Sequence, residues 1–228
     1  MQPYLFPYVG YFQLINSVDK FVFYDDVNYI KRGWINRNKI LINNKEHLLS
    51  FPCVNSSQNK LIKDVKIEIG SKEYEEILLK IKRSYIKSPY FESIFPLIEL
   101  IFKSKNETIS DFACNSVVVI SKYLGLDTEF FKSSKLFNHF KELNKEDRLI
   151  KISKELGGEN YINAIGGIEL YNKAYFKKNG INLNFLKPKI KEYTQFGKEF
   201  IPGLSIIDVL MFNSKVESRE IINDIELI

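Results

Sequence analysis

The polar recognition chemistry of the chain is concentrated in residues 31–38, which read KRGWINRN. Arg37 offers a planar guanidinium suited to phosphate or carboxylate, and Lys31 offers a point charge for the same groups. Trp34, the only tryptophan, can stack on a nucleobase or a sugar, and Asn36 supplies a donor and an acceptor. Together these residue types favour a site for a diphosphate-linked sugar or base. The competing interpretation is an exposed loop with Trp34 packed inward.

Asp25 and Asp26 stand just upstream, at the end of the β-prone segment Phe21–Tyr24. A carboxylate near a sugar amine can orient the amine or accept its proton. Adjacent strand residues point to opposite faces. Asp26 shares a face with Tyr24 and is the better candidate, which leaves Asp25 as a turn or capping group. A turn that ends the strand is the alternative for both, because aspartate is common in turns.

The first eleven residues, MQPYLFPYVGY, show neither helical nor alternating apolar periodicity. Their two prolines interrupt helix and strand ladder, and Gly10 permits close approach of backbone to a ligand. A helical segment, a strand and the paired acids follow, an order typical of mononucleotide-sized sites in α/β proteins. The segment therefore indicates either a binding loop or an aromatic plug that buries the N-terminus. Its candidate binding residues are Gln2, Tyr8, Gly10 and Tyr11.

Other groups with possible chemistry are isolated. His47 is a candidate general base, although a half-buried strand histidine is the preferred interpretation. A thioester-forming Cys53 would need a lowered pKa and a nearby base, and His47 lies six residues away. No metal-ligand spacing surrounds either histidine, so no metal site is expected. Near the C-terminus, glycines ahead of a helix predicted from about residue 168 can cradle an anion, or form a tight turn. The residues concerned are Asn163, Gly166 and Gly167.

Composition predicts a soluble enzyme with one substantial core: 228 residues, 45% hydrophobic and 27% charged. The net charge of +5 is discounted, because basic and acidic residues alternate in stretches such as KELNKEDRLIKISKELGGE, read as a solvated helix face. Nucleic acid is therefore not an expected partner. No apolar run reaches membrane-spanning length, and two cysteines fit a reducing compartment. We expect a cytoplasmic protein with no membrane partner and no tightly bound cofactor.

Periodicity and capping signals predict one mixed α/β domain over residues 1–228, with a helical insertion or cap at about 71–125. Ser205 is predicted to N-cap a helix, with Asp208 completing a capping box. The predicted strands are 21–24, 39–42, 47–51, 65–69, 128–131, 161–163 and 181–185. The predicted helices are 11–15, 72–85, a stretch that Pro96 opens toward 102, 108–124, 144–157, 167–176 and 206–212.

The segments MQPYLFPYVGYFQLI and FVFYDDVNYIKRGWINRN resemble the opening signature of the WbqC-like family, encoded among genes for bacterial O-antigen and other surface polysaccharides. The resemblance continues through SPYF and ends in FIPGLSIIDVLMFNS. It implies an acyl- or aminoacyltransferase acting on the amine of a nucleotide-linked amino sugar. The implied donor is acyl-CoA or a carrier-protein thioester, which makes an acyl carrier protein a possible partner. Asp25 or Asp26 would then serve the amine and Asn36 the oxyanion, while Lys31 and Arg37 hold the diphosphate.

Residues 6–11, FPYVGY, are also similar to a degenerate H-x-G-H loop of the nucleotidylyltransferase superfamily, on a Rossmann-like core. Tyr8 and Tyr11 replace the histidines, and a neutral tyrosine only hydrogen-bonds. The similarity fits nucleotide-sugar binding better than adenylation. Two alternatives therefore stand beside the transferase: a non-catalytic nucleotide-sugar binding or assembly protein, and an adenylate-forming ligase. Convergence of Asp25, Lys31 and Arg37 on one pocket would favour an enzyme.

The same resemblance generates a prediction about the start of the chain. Family members carry a few apolar residues before the MQP motif, and these form a first strand. We expect the upstream reading frame to encode a short β-prone segment that pairs beside Phe21–Tyr24, because backbone groups there would otherwise lack partners. Translation of the upstream frame tests this. An in-frame stop codon directly before Met1 would contradict it.

Overall fold

A computed structural model describes residues 1–228, and the fold is mixed α/β. The strands are β1 (Lys20–Phe23), β2 (Arg37–Ile42), β3 (Lys45–Ser50), β4 (Cys53–Val54), β5 (Lys66–Ile67), β6 (Glu129–Lys132), β7 (Asn160–Ala164), β8 (Asn182–Pro188) and β9 (Ile225–Leu227). The helices are α1 (Val9–Asn16), α2 (Lys72–Tyr85), α3 (Phe91–Phe102), α4 (Ile109–Leu124), α5 (Ser133–Leu136), α6 (Lys145–Glu155), α7 (Lys173–Lys178), α8 (Ile206–Phe212) and α9 (Lys215–Asn223).

Two parallel strand pairs position the polar residues. β1 runs parallel to β6, with Phe21 opposite Phe130, and β7 runs parallel to β8, whose carboxyl end also pairs with antiparallel β9. Parallel strands end at the same edge of a sheet. The residues that follow β1 and β6 are therefore neighbours, although more than 100 residues separate them. β2–β3 and β4–β5 form two small antiparallel sheets apart from these pairs.

The N-terminal segment packs as an aromatic plug. The Met1 backbone lies beside β1, where its N–H donates to the Val22 carbonyl at 2.8 Å and its carbonyl accepts from the Tyr24 N–H at 2.7 Å. The buried Tyr11 hydroxyl donates to the Gln2 carbonyl at 2.8 Å. Glycine is needed at position 10, because a Cβ there would lie 2.5 Å from the Tyr8 ring. The existence of a further strand upstream stays a prediction.

Local signals placed most element boundaries. The side chains of Ser71, Thr108 and Asn144 cap α2, α4 and α6. The left-handed Asn43 and Asn44, with φ of 51° and 58°, make the β2–β3 turn. Helices α2, α3 and α4 bury their apolar faces in one core of 44 residues that α1, β1 and β2 share. No helix is both long enough and apolar enough to span a membrane.

Three predicted boundaries were wrong. Pro96 lies inside α3 on its exposed side, where burial of the opposite face by Ile94 and Ile98 holds the helix together across the missing N–H. The strand at 65–69 shortens to β5, because the Glu68 N–H then donates to the Pro52 carbonyl at 3.1 Å and the chain turns at Gly70. The helix predicted from 167 to 176 is a single 3-10 turn at Ile165–Gly167, followed by a loop and α7.

The predicted capping box at Ser205 was also wrong. The Ser205 hydroxyl accepts from the Ile207 N–H, but Asp208 turns inward and caps nothing. Its fully buried carboxylate accepts hydrogen bonds from the Tyr85 hydroxyl at 2.8 Å, the Tyr193 hydroxyl at 2.7 Å and the Gln195 amide at 2.7 Å. Burial raises the pKa of Asp208, and the three donors oppose that rise. The carboxylate thereby ties α2 and the loop before α8 to α8 itself.

Gln13 joins the two ends of the chain. Its side-chain amide on α1 donates to the carbonyls of Lys189, Ile221 and Asp224 at 2.8, 3.0 and 3.1 Å. Gln13 is fully buried. The helix that follows the N-terminal plug is therefore held by residues near the C-terminus.

Tyr193→Phe is expected to lower the free energy of unfolding by about 1.5–3 kcal/mol, because it removes a hydrogen bond to a buried charged group. Tyr175→Phe is the matched control. Its hydroxyl donates to Asp147 at 2.6 Å, but Tyr175 is 37% exposed, so we expect a change within about 0.5 kcal/mol. Urea unfolding measures both. Equal losses for the two variants would contradict a special role for the buried carboxylate.

The effect of Tyr193→Phe should also depend on pH with a defined sign. Because the folded-state pKa of Asp208 is raised, the folded protein takes up this proton before the unfolded chain does as the pH falls. Loss of the Tyr193 donor raises that pKa further. The destabilisation should therefore shrink as the pH is lowered through the titration of Asp208. Urea unfolding at a series of pH values tests this, and a constant difference would contradict it.

Candidate functional site

Asp25 lies in a buried cage of serine donors at the end of β1. One carboxylate oxygen accepts from the Ser134 N–H at 3.0 Å and lies 3.3 Å from the Ser133 hydroxyl oxygen, whose single proton is directed to Asp26. The other accepts from the Ser134 hydroxyl at 2.9 Å and the Ser110 hydroxyl at 3.2 Å. An ionised carboxylate has about four acceptor sites. Three of these sites on Asp25 are therefore filled, and Asp25 fixes α4 and the start of α5 to the strand.

Asp26 lies on the other side of the Ser133 hydroxyl and pairs with Arg148 of α6. The Arg148 Nη2 donates to one carboxylate oxygen at 2.5 Å, and the Ser133 hydroxyl donates to the other at 2.6 Å. The Asp26 and Arg148 side chains are only 2% and 5% exposed. The guanidinium carbon lies 4.6 Å from the centroid of the Tyr24 ring. Asp26 and Tyr24 therefore both contact Arg148, and each oxygen of Asp26 retains one acceptor site.

Arg148 is the residue that sequence reasoning missed. It belongs to the stretch interpreted as a solvated helix face, yet it is buried together with Ile152, one turn further along α6. An arginine in the apolar stripe of an amphipathic helix was the available signal. Its Nε is buried and has no hydrogen-bond partner within the protein. The Nε–H of Arg148 is therefore a hydrogen-bond donor that the protein itself leaves unused, next to the ion pair.

Aromatic residues of β7 and of the loop after it lie beside the Asp26–Arg148 pair. The Asn163 amide donates to the Tyr161 hydroxyl at 3.3 Å. Burial raises the pKa values of Tyr24, Tyr161 and Tyr171, so these hydroxyls stay neutral. Gly167 packs under the Asn163 side chain, since a Cβ there would lie 3.0 Å from its amide nitrogen. Gly166 is exposed, and α7 begins only at Lys173, so no helix N-terminus follows the two glycines.

A cavity of about 580 Å³ lies between β1 and β7, with α1 and α6 contributing to its walls. Tyr24 and Asn163 line it near the carboxyl ends of the two strands, and Asp19 and Asn160 line it at their amino ends. Tyr161 also lines the cavity, as does Leu149, the residue after Arg148 on α6. Asp25, Asp26, Arg148 and the segment 31–38 contribute no lining residue. The cavity adjoins the Asp26–Arg148 pair only through Leu149 and through Tyr24, whose ring contacts the Arg148 guanidinium.

The basic segment forms a separate turn. Lys31 and Trp34 are exposed, and the Arg37 Nε donates to the Gly33 carbonyl at 3.1 Å. Asn36 is buried and fixed, because its carbonyl accepts from the Tyr29 hydroxyl at 2.7 Å and its amide donates to the Phe51 carbonyl at 2.8 Å. No hydrogen bond or ion pair joins this turn to Asp25 or Asp26. The convergence that would favour an enzyme is absent.

His47 and Cys53 do not form a catalytic pair. His47 is exposed on β3, opposite Ile40, and makes no side-chain hydrogen bond. Burial raises the pKa of the Cys53 thiol to about 12, and a hydrogen bond with Asn36 only partly opposes this. The thiol is therefore protonated at neutral pH, the reverse of what a thioester-forming nucleophile needs.

The fold and the site define an α/β protein with a polar centre where parallel strands end. The chain belongs to the WbqC-like protein family, whose model matches residues 2–220, and this confirms the resemblance predicted from the signatures. An uncharacterised protein of Mycobacterium tuberculosis is 25% identical over 217 residues, which cover 94% of this chain and 92% of the relative. No solved structure matches the chain.

Native Cys53 is expected to resist alkylation at neutral pH. A pKa of about 12 leaves roughly a thousandfold less thiolate than an ordinary cysteine has. Intact mass after iodoacetamide treatment of folded and urea-unfolded protein measures the difference. Cys53→Ser identifies the reacting site, since Cys114 is buried and its pKa is also raised. Rapid alkylation of Cys53 in the folded protein would contradict this and make Cys53 a candidate nucleophile again.

Proposed function

We propose that the protein binds a nucleotide-linked amino sugar at the carboxyl ends of β1, β6 and β7 and transfers an acyl or aminoacyl group to its amine. The observation that carries the binding is the unpartnered buried Nε of Arg148, beside a cavity whose wall includes the neighbouring Leu149 and Tyr24. Arginine is suited to phosphate through its planar fork. Arg148 is therefore assigned to the diphosphate.

The walls of the cavity suit a sugar. Its volume of about 580 Å³ falls in the range of small-molecule sites. The Tyr24 and Tyr161 rings offer flat apolar faces, and the Asn163 amide offers hydrogen bonds near the same end. Ligands of open α/β sheets characteristically bind outside the carboxyl ends of the strands. These features support the assignment of the sugar to this edge.

The transfer step follows from family resemblance, and its balance is simple. The amine attacks the carbonyl of a thioester, the C–N bond forms, the C–S bond breaks, and the thiol leaves with a proton from the amine. The donor we propose is acyl-CoA or a carrier-protein thioester. The protein must orient the amine close to the carbonyl. Asp26 suits this role better than Asp25, because Asp26 has two donors and lies against Arg148, whereas Asp25 has three donors and no contact with Arg148.

Calorimetric titration with a panel of nucleotide-linked amino sugars tests the binding. Arg148→Lys keeps the charge beside Asp26 but loses the fork, so we expect affinity to fall about tenfold or more. Lys31→Ala is the matched control, because it removes an exposed cation that lines no part of the cavity. It should change affinity by less than about threefold. Melting curves confirm that both variants are folded.

The opposite result, a large loss with Lys31→Ala or Arg37→Ala and none with Arg148→Lys, would place the diphosphate on the basic turn. It would thereby restore the expectation drawn from the sequence and contradict our assignment.

Asp26→Asn is expected to lower turnover about a hundredfold while binding changes little, because the amide keeps shape but loses charge and basicity. Asp25→Asn should affect stability first, since Asp25 anchors two helices. Mass gain of the sugar with each candidate donor measures turnover, and urea unfolding measures stability. Wild-type turnover in both variants would show that the acids are structural.

A second candidate function is a non-catalytic nucleotide-sugar binding or assembly protein. The observation that favours it is the separation of Lys31 and Arg37 from both carboxylates. The two candidates share the binding site and differ in outcome. Tight binding of a nucleotide sugar without mass gain from any donor would support the binding protein over the transferase.

A further inference from the structure

The positive charge of the chain is localised. Residues 27–63 contain seven Lys or Arg and a single acid, Glu46, for a formal charge of +6. The other 191 residues contain 26 basic and 27 acidic residues. The net charge of +5 therefore arises entirely in this segment. In the rest of the chain the basic and acidic residues nearly balance. The segment comprises the turn after β1, the β2–β3 hairpin and the loop before β5.

Ion pairs neutralise only part of this charge. Lys39 pairs with Glu46 at 2.8 Å, and Lys63 pairs with Asp64 at 3.1 Å. Lys31 and Arg32 are exposed and form no ion pair. The Lys60 backbone adjoins this turn, because its carbonyl accepts from the Tyr29 N–H at 2.8 Å, and the Lys60 side chain is half-buried and forms no ion pair. Three cations without an ion-pair partner thus lie on neighbouring segments.

Two large apolar side chains stand among these cations. Ile30 is 50% exposed and Trp34 is 45% exposed. The turn that carries them is closed by a hydrogen bond from the Gly33 N–H to the Ile30 carbonyl at 3.2 Å, with Arg32 in the left-handed region at φ 59°. We call this surface the basic tip, defined by Ile30, Lys31, Arg32, Trp34 and Lys60.

We propose that the basic tip docks the protein on the surface of an anionic lipid bilayer. Interfacial proteins place tryptophan and aliphatic side chains at the headgroup boundary while flanking lysines and arginines meet anionic lipids. The basic tip has both components in one turn. The proposal departs from the expectation that the protein has no membrane partner, and it concerns surface contact only.

Two other ligands fit the basic tip less well. A small molecule needs a concave site, but the tip contributes nothing to the cavity between β1 and β7. A nucleic acid would bind a stripe of cations along its successive phosphates, and an exposed aliphatic side chain such as Ile30 contributes nothing to phosphate binding. Charge complementarity combined with exposed apolar side chains favours a lipid surface.

Trp34 makes the proposal directly measurable, because it is the only tryptophan in the chain. The full chain is mixed with vesicles of phosphatidylcholine alone, or of equal parts phosphatidylcholine and phosphatidylglycerol. We expect Trp34 emission to shift to the blue only with the anionic vesicles. Each cation near an anionic surface strengthens binding about fivefold, so three cations should give about a hundredfold preference. High salt should abolish it.

Variants separate the basic tip from general electrostatics. Lys31→Glu combined with Arg32→Glu should reduce binding at least tenfold, and Ile30→Ser should reduce the blue shift. Their matched controls are Lys177→Glu combined with Lys178→Glu, another adjacent exposed pair, and Leu170→Ser, at a side chain that is 63% exposed. Both controls should bind as the wild type does. Melting curves verify that each variant is folded.

Three results would overturn the proposal. One is an unchanged Trp34 spectrum with anionic vesicles at low salt. Another is equal loss of binding in the tip variants and their controls. The third is a Trp34 response to a single-stranded oligonucleotide or to a nucleotide sugar without any response to vesicles, which would assign the basic tip to that ligand instead.

Discussion

Two adjacent aspartates that follow β1 have their side chains almost out of contact with water, and the packing of three helices depends on the hydrogen bonds that these carboxylates accept. Burying an unpaired carboxylate costs several kcal/mol, so each carboxylate needs donors. Asp25 receives them from α4 and α5, and Asp26 receives them from α5 and α6. Three helices from distant parts of the chain are thereby fixed to the end of one strand. Removal of either acid would release more than one element.

Asp25 and Asp26 obtain their hydrogen-bond donors from different kinds of groups, and this difference defines the site. Two neutral hydroxyls and a backbone N–H fill three of the four acceptor sites of Asp25. A guanidinium and one hydroxyl satisfy Asp26, which leaves acceptor sites on the carboxylate and a donor on Arg148. The Asp26–Arg148 pair therefore has the greater hydrogen-bonding capacity left for a ligand. The neutral tyrosines nearby add shape and apolar surface without competing charge.

Sequence reasoning succeeded where the determining interactions are local. Caps such as Ser71 and Asn144 satisfy N–H groups three residues away, and the Asn43–Asn44 turn depends only on its own backbone. It failed where one residue serves a partner far along the chain. Asp208 has the spacing of a capping residue but instead binds the hydroxyl of Tyr85, 123 residues away, and Arg148 reaches Asp26 across 122 residues. Local pattern does not encode such partners.

The mixed α/β fold and the family could be predicted, because apolar periodicity and a long signature are distributed over the whole chain. The separation of the basic turn from Asp25 and Asp26 could not be predicted. Strand alternation indicated that Asp25 and Asp26 point apart, but nothing in the segment 31–38 shows that its turn faces away from both. Residue types alone identify binding chemistry, whereas the place where that chemistry is presented depends on tertiary contacts such as the fixed position of Asn36.

The hydrogen bonds of Gln13 have a consequence for how the protein is made. Helix α1 is among the first elements to leave the ribosome, yet the carbonyls that satisfy the Gln13 amide belong to residues 189, 221 and 224. During synthesis the face of α1 that carries Gln13 therefore stays without its partners until almost the entire polypeptide has emerged. Chains with such long-range closure fold slowly and present aggregation-prone surfaces meanwhile. A chain stalled on the ribosome near the end of the message would accordingly expose apolar surface that chaperones bind, and would not be a partly functional protein.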